Sequence, residues 1–225
     1  MTQPNDDENN RLIKERQPGI LFVLSGPSGT GKGTICRELL RDKSGLSYSI
    51  SVTTRSPRPG EIDGENYIFV SREKFFDLVH NGELLEWAEV YGNYYGTPLA
   101  FVNQMLNDGQ NVLLEVDTQG ALAVKKLIPQ GVFIYILPPS PAELADRITK
   151  RGTDSPAIIK RRLSCARGEL NYVREYNYVV INDKVDCAVK KINAIIQAEK
   201  CRLERNSDLI DKIGGLIGSM NNTSN

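Results

Sequence analysis

The residues whose types and spacing are most able to do chemistry are Gly26, Pro27, Ser28, Gly29, Thr30, Gly31, Lys32, Gly33 and Thr34. Gly26 is followed by four residues and then Gly31-Lys32, the spacing of a loop that wraps a phosphate. Glycines at 26, 29 and 31 let successive backbone N–H groups converge on one anion. A helix opening at Lys32 turns the positive end of its dipole toward the same point, and the lysine brings an ammonium to the outer phosphates. The predicted chemistry is the cradling of a nucleoside triphosphate. The plain alternative is a glycine-rich turn between a strand and a helix. An apolar run at 20–24 and a helical pattern at 35–41 supply the context that a phosphate loop demands. The pattern departs from the general one at Gly33, where a Ser or Thr hydroxyl commonly meets Mg²⁺. The hydroxyl comes one place later, on Thr34, so the sequence leaves the metal ligands unassigned.

A second anion site is legible downstream. Arg55 and Arg58 stand three apart on the proline-punctuated loop 51–61, and paired guanidinium forks suit a dianionic phosphate. Taken alone, such a loop also reads as solvated surface. Tyr67 and Tyr95 add phenol donors that bring no charge. Glu86, between Leu85 and the single tryptophan Trp87, admits two readings. It is either an exposed edge-strand carboxylate, or a base reader whose two oxygens match the adjacent N1–H and N2–H₂ donors of guanine. His80, the one histidine, lies in a polar helix away from these residues.

Elements must hold these groups in place, and the chain alternates strands with helices. Continuous apolar runs at 20–24, 112–116, 132–137 and 178–181 read as strands of a parallel sheet covered on both faces. Further strands are expected at 46–51, 66–70 and 83–91, with a short one at Tyr94-Tyr95 after the turn Gly92-Asn93. Thr97-Pro98, Ser140-Pro141 and Ser155-Pro156 each place a hydroxyl before a proline, the signature of a helix start, and Glu143 completes a capping box with Ser140. A last helix from Lys184 carries the stripe Val185, Ala188, Val189, Ile192, Ile195 and Ile196. The fold class is α/β, a core with a parallel sheet between helices, interrupted at 51–97 by an inserted lobe of short strands.

Lys plus Arg equals Asp plus Glu at 28 each, so no global field points to nucleic acid or an anionic membrane. No run approaches the length of a transmembrane helix, and residues 1–18 read as a loose polar tail rather than a secretory signal. Cys36, Cys165, Cys187 and Cys201 form no Cys-x-x-Cys pair and read as reduced thiols of a cytoplasmic protein. Beyond about 203 the chain reads as a second tail; monomer and homo-oligomer are both left open.

Taken in order, the loop 26–34, Thr53-Thr54-Arg55-Ser56-Pro57-Arg58, Glu86-Trp87-Ala88, Asn93-Tyr94-Tyr95-Gly96-Thr97, Glu115-Val116-Asp117-Thr118-Gln119-Gly120 and Arg151-Gly152-Thr153 resemble the motifs of guanylate kinases. The resemblance spans 19 to about 203. It implies a core at 19–50 and 98–203, a GMP-binding lobe at 51–97 and a lid near 151–156. It assigns Arg55, Arg58, Tyr67 and Tyr95 to the GMP phosphate, Glu86 with Ser51 and Thr97 to the guanine, and Glu61 to orienting the arginine loop. Glu115 and Asp117 are left between guanine, a site arginine and metal-bound water. Arg147, Arg151 and Arg162 match arginines that reach the transferring phosphoryl group. Asn182 matches the adenine edge, although a turn and helix cap fits Asn182-Asp183 as well. Mg²⁺ would accompany ATP. Two rivals stand beside this reading: a kinase of another acceptor such as AMP or a sugar phosphate, and a non-catalytic guanylate-kinase-like scaffold module. Glu86 and the arginine loop argue against the first, and the intact glycines with Lys32 against the second.

Overall fold

The computed structural model describes residues 17–41, 45–150 and 156–222. It divides into two compact units, one of residues 18–193 and one to which the described residues from 194 onward belong. The first begins with β1 (Leu21–Ser25), the phosphate loop and α1 (Lys32–Arg41), then β2 (Leu46–Tyr48), β3 (Val52–Thr53) and β4 (Ile68–Phe69). There follow α2 (Arg72–His80), β5 (Leu84–Val90), β6 (Asn93–Pro98), α3 (Leu99–Asn107), β7 (Asn111–Glu115) and α4 (Thr118–Leu127). The unit is completed by β8 (Val132–Leu137), α5 (Pro141–Lys150), α6 (Pro156–Glu169), β9 (Tyr178–Ile181) and the start of α7 (Val185–Lys200).

Five strands form a parallel sheet in the order β2-β7-β1-β8-β9. β1 lies at its centre, and Phe22, Val23 and Leu24 are wholly buried, as expected of a run apolar on both faces. Parallel strands joined through helices all end at one edge of the sheet. Ser25, Glu115 and Asn182 therefore gather along that edge, where an open α/β sheet binds its ligand. A second sheet, β4-β3-β6-β5, is mixed: β3 pairs parallel with β4 and antiparallel with β6, which pairs antiparallel with β5. Phe75 and Ala88 of this smaller assembly are buried, while Leu85 of β5 packs into the main core with Leu21, Val23 and Val102.

The structure departs from the sequence reading at several places. The strand expected at 46–51 ends at Tyr48: β2 pairs with β7, and a separate strand β3, beyond the expected one, joins the second sheet. Hydrophobic alternation records which side of a strand is buried, not which sheet it joins. β9 is apolar throughout yet lies on the sheet edge, and Val179 and Ile181 are about half exposed. Thr97 does not cap α3; Pro98 holds the N-cap place and offers no side-chain bond there. At α5 the Glu143 amide donates to Ser140 Oγ (3.1 Å), but the Glu143 carboxylate turns to Arg147, so only half of the capping box forms. Ser155, and with it the expected cap of α6, lies outside the described residues, as do positions 1–16 of the first tail.

α4 begins at Thr118, and Asp117 before it caps the helix by accepting from the Gly120 amide (2.8 Å). In α7, Ala188, Val189 and Ile192 are buried, bearing out that stripe. In the other unit the second tail contains α8 (Ser207–Asn222). There Glu199, almost wholly buried, accepts from Arg205 (3.2 Å) and lies 3.7 Å from Arg202. No helix among the described residues is long and apolar enough to cross a membrane.

Candidate active site

The loop after β1 is shaped by its neighbours. Gly26 has φ of +135°, and a Cβ there would run into the Ile136 carbonyl of β8. Gly31, at φ +88°, leaves room for the Asn182 amide, which a Cβ would meet at 2.5 Å. Asn182 then donates to the Thr30 carbonyl (2.7 Å), and the Thr30 hydroxyl to that of Pro27 (2.9 Å). The loop is thus tied from within and from the end of β9. Lys32 Nζ donates to the carbonyls of Gly26 (2.5 Å) and Pro27 (3.2 Å), lying across the cradle it helps to build. Burial pulls the Lys32 pKa below its ordinary value, while Glu115, Glu169 and Asp117 act against that pull.

One cavity joins this loop to the second sheet. Its wall includes Gly26, Ser28, Gly29, Gly31, Lys32 and Gly33 on one side and Ser51, Arg58, Tyr67, Glu86 and Tyr95 on the other, with Glu115, Asp117 and Arg162 between them. Arg162, on α6, is nearly buried; it donates to Ser28 Oγ at 3.4 Å and its guanidinium stands 5.1 Å over the Tyr91 ring. Glu86 is 7% exposed, which removes the surface-carboxylate reading. Its Oε1 accepts from the Thr97 hydroxyl (2.7 Å), the same hydroxyl that the sequence offers as a helix cap. Burial pushes the Glu86 carboxyl up to about 7; the Thr97 bond opposes the rise and the Asp117 charge adds to it. Its other oxygen stands where a Cβ on Gly120 would be, 2.6 Å away. Asp117 is also raised by burial, against the pull of the Gly120 amide and Lys32.

Several expected residues stand outside the cavity wall. Arg55 is held by Glu61 Oε1 (2.9 Å) and the Ser56 carbonyl (2.7 Å), and packs 5.3 Å over the Tyr67 ring. Glu61 also accepts from the Arg58 amide (2.7 Å), so it braces both arginines of the loop. Burial raises the Glu61 carboxyl, but the Arg58 amide and the Arg55 guanidinium outweigh it and hold the group below the usual range. Arg147 donates to Glu143 (2.9 Å) and to the Asn182 carbonyl (3.1 Å), which places it against the outer end of the phosphate loop. Thr34 is exposed and accepts from Arg37 at 3.5 Å. Arg151, with most of the expected lid, lies outside the described residues. His80 is bonded to the Phe76 carbonyl in the last turn of α2 and has no place in the cavity. The polar cavity residues that escape the sequence reading are Tyr91, a left-handed residue at the β5–β6 turn (φ 52°), and Glu169 at the end of α6. Nothing in the spacing marks either one.

A glycine loop leaving the central strand of a five-stranded parallel sheet for a helix N-terminus makes the protein a P-loop kinase in fold. Comparison with known proteins narrows the class. The profile described as guanylate kinase matches residues 19–199. A guanylate kinase of Caldanaerobacter subterraneus is 58% identical over 88% of this chain and 96% of its own. One of Desulfitobacterium hafniense is 56% identical over 85% and 96% respectively. The crystal structure of guanylate kinase from Anaplasma phagocytophilum superposes with a TM-score of 0.71 at 35% identity, covering 84% of this chain and 90% of that one. The chain belongs to the guanylate kinase family.

Proposed function

We propose that the chain transfers the γ-phosphoryl group of ATP reversibly to GMP, giving ADP and GDP, and that the cavity between the phosphate loop and the second sheet is where this happens. The observation that carries the reading is Glu86, a buried carboxylate on the same wall as Arg58 and facing the same space as Lys32. A carboxylate in that position has an acceptor pair for the N1–H and N2–H₂ edge of guanine and no match on adenine.

No general base is required, because the acceptor is a phosphate oxygen whose second ionisation lies near pH 6. Catalysis is positioning and charge stabilisation. Lys32 leaves the Gly26 and Pro27 carbonyls and, with the loop amides, holds the β- and γ-phosphates. Arg58, Tyr67 and Tyr95 hold the GMP phosphate, with Arg55 released from Glu61 to join them. Arg162 sits over Ser28, beside the path of the transferring group, and Arg147 joins it through its bond to the Asn182 carbonyl, with Arg151 assigned to the same task by the family resemblance alone. Ser51 and Thr97 support Glu86, and Asn182 stands at the adenine edge.

The donor set suits Mg²⁺. A Cβ on Gly33 would meet the two Glu115 oxygens at 3.4 and 3.5 Å, so a carboxylate occupies the ground a side-chain hydroxyl would reach. Hard oxygens suit a metal that keeps much of its water, and among the described residues there is no ready-made cluster of ligands. Glu115 and Asp117 would hold the hydrated ion that arrives on the triphosphate, and the ion would offset charge between the β- and γ-oxygens. All four cysteines are free thiols, which favours a reducing, cytoplasmic setting.

The test is a coupled assay of ADP formation with GMP, AMP, UMP and CMP as acceptors. ADP formed with GMP far faster than with the other three is expected. Equal use of AMP, or no GMP-dependent ADP, overturns the reading.

A further inference from the structure

Glu115 at the end of β7, Asp117 at the cap of α4 and Glu169 at the end of α6 line one cavity with Lys32, and their charges act on its ammonium. Two of the three carboxylates already have partners. Glu115 accepts from the Tyr48 hydroxyl at 3.4 Å, and Asp117 accepts from the Gly120 amide at 2.8 Å. Glu169 is different. It lines the cavity together with Lys32, and its Oε2 is shut off from solvent with no hydrogen-bond partner. An acceptor left bare beside an ammonium costs free energy unless some state of the protein uses it.

Helix geometry explains why a residue so far along the sequence reaches the loop. Glu169 follows Arg162 by seven residues, close to two turns, so both point from one face of α6. Arg162 meets the loop at Ser28, and Glu169 lines the cavity that Lys32 lines, near enough for its charge to act on the ammonium. α6 therefore brings a cation and an anion to two points of one cradle. The attraction is also visible from the other partner: burial raises the Glu169 carboxyl and Lys32 pulls it back down.

We propose that Glu169 is a positioning residue for Lys32. Its carboxylate accepts a hydrogen bond from the ammonium once Lys32 has left the loop carbonyls, and so fixes the direction from which the lysine meets the outer phosphates. This rests on the functional reading above and deepens it on the ATP side only. Glu169 touches neither nucleotide and takes no part in the transfer.

The experiment compares Glu169→Gln and Glu169→Asp with the unaltered protein. Glutamine keeps the shape and loses the charge; aspartate keeps the charge on a shorter arm. In steady state, Glu169→Gln is expected to lower kcat/KM for ATP about tenfold, the scale of one charge-assisted contact, while KM for GMP changes less than twofold. Glu169→Asp is expected to recover much of the loss. In parallel, calorimetric titration with ATP and Mg²⁺, without GMP, should show the same order of affinities. Unaltered ATP constants in Glu169→Gln, equal losses for ATP and GMP, or an aspartate variant no better than glutamine would each overturn the proposal. An unaltered protein that forms no ADP with GMP would overturn the functional reading instead, and the calorimetric arm would still judge Glu169.

Discussion

In the proposed function, Lys32 and Glu86 carry the two halves of the chemistry. Lys32 is half-buried and its ammonium is bonded to the loop carbonyls of Gly26 and Pro27, so removing it changes the cradle's charge more than the fold. Lys32→Ala is expected to cut turnover by at least about 100-fold, with GMP affinity nearly intact by calorimetry. Glu86 makes a prediction with a pH sign. Its carboxyl, raised to about 7, is largely protonated at pH 6, and a protonated oxygen cannot accept from guanine on both sides. GMP affinity should therefore rise from pH 6 to 8. The phosphate of GMP also ionises in this range, so the comparison is with Glu86→Gln. The variant should show the phosphate contribution alone and lose its preference for GMP over AMP. A variant with the full pH response and full discrimination would refute the base-reading role.

The elements show why part of the site was legible and part was not. The phosphate loop was readable because it is local: glycines, strand and helix all lie within one stretch of chain. Arg55, Arg58 and Glu61 share one short loop, and the structure indeed ties them together. Thr97 shows the limit. Its place before Pro98 fits a cap, but β6 carries it past that role to the neighbouring strand, where it serves Glu86. Only cross-strand pairing reveals that, and pairing is not written in either segment alone. Glu169 was hidden for a similar reason, since it reaches the cavity wall through the packing of a helix whose sequence pattern is unremarkable. Ser140 is a case where local reading sufficed. Ser140→Ala should cost about 1 kcal/mol, a fall of about 2–4 °C in Tm by calorimetry, through loss of the bond to the Glu143 amide.

The molecule as a whole bears a cost for its cavity. Burial raises the carboxyls of Glu86, Asp117 and Glu169. Above an ordinary carboxylate pKa of about 4.5, the folded protein retains protons that the unfolded chain has already released. Stability contributed by these groups is complete below that value and declines as pH rises through their folded pKa values. For Glu86 the window runs from about 4.5 to about 7, and a shift of that size corresponds to about 3 kcal/mol at its upper bound. Glu86→Gln is expected to raise Tm at pH 8 relative to the unaltered protein and to leave it nearly unchanged at pH 4.5. Equal effects at both values would mean the carboxyl is not held protonated by the fold. The parallel sheet itself was legible from its apolar runs, whereas the exposure of β9 was not, because strand order decides which run becomes an edge.

Gly120 belongs to a helix of the parallel-sheet layer, yet its bare backbone is what one oxygen of Glu86 rests against. If Glu86 reads the base as proposed, discrimination between purines is governed from two directions at once, a hydroxyl on the neighbouring strand and an empty α-carbon across the seam. A single methyl group at 120 would evict the reading oxygen without approaching the nucleotide. Changes of substrate preference in this scaffold can therefore originate in a residue that no ligand ever meets.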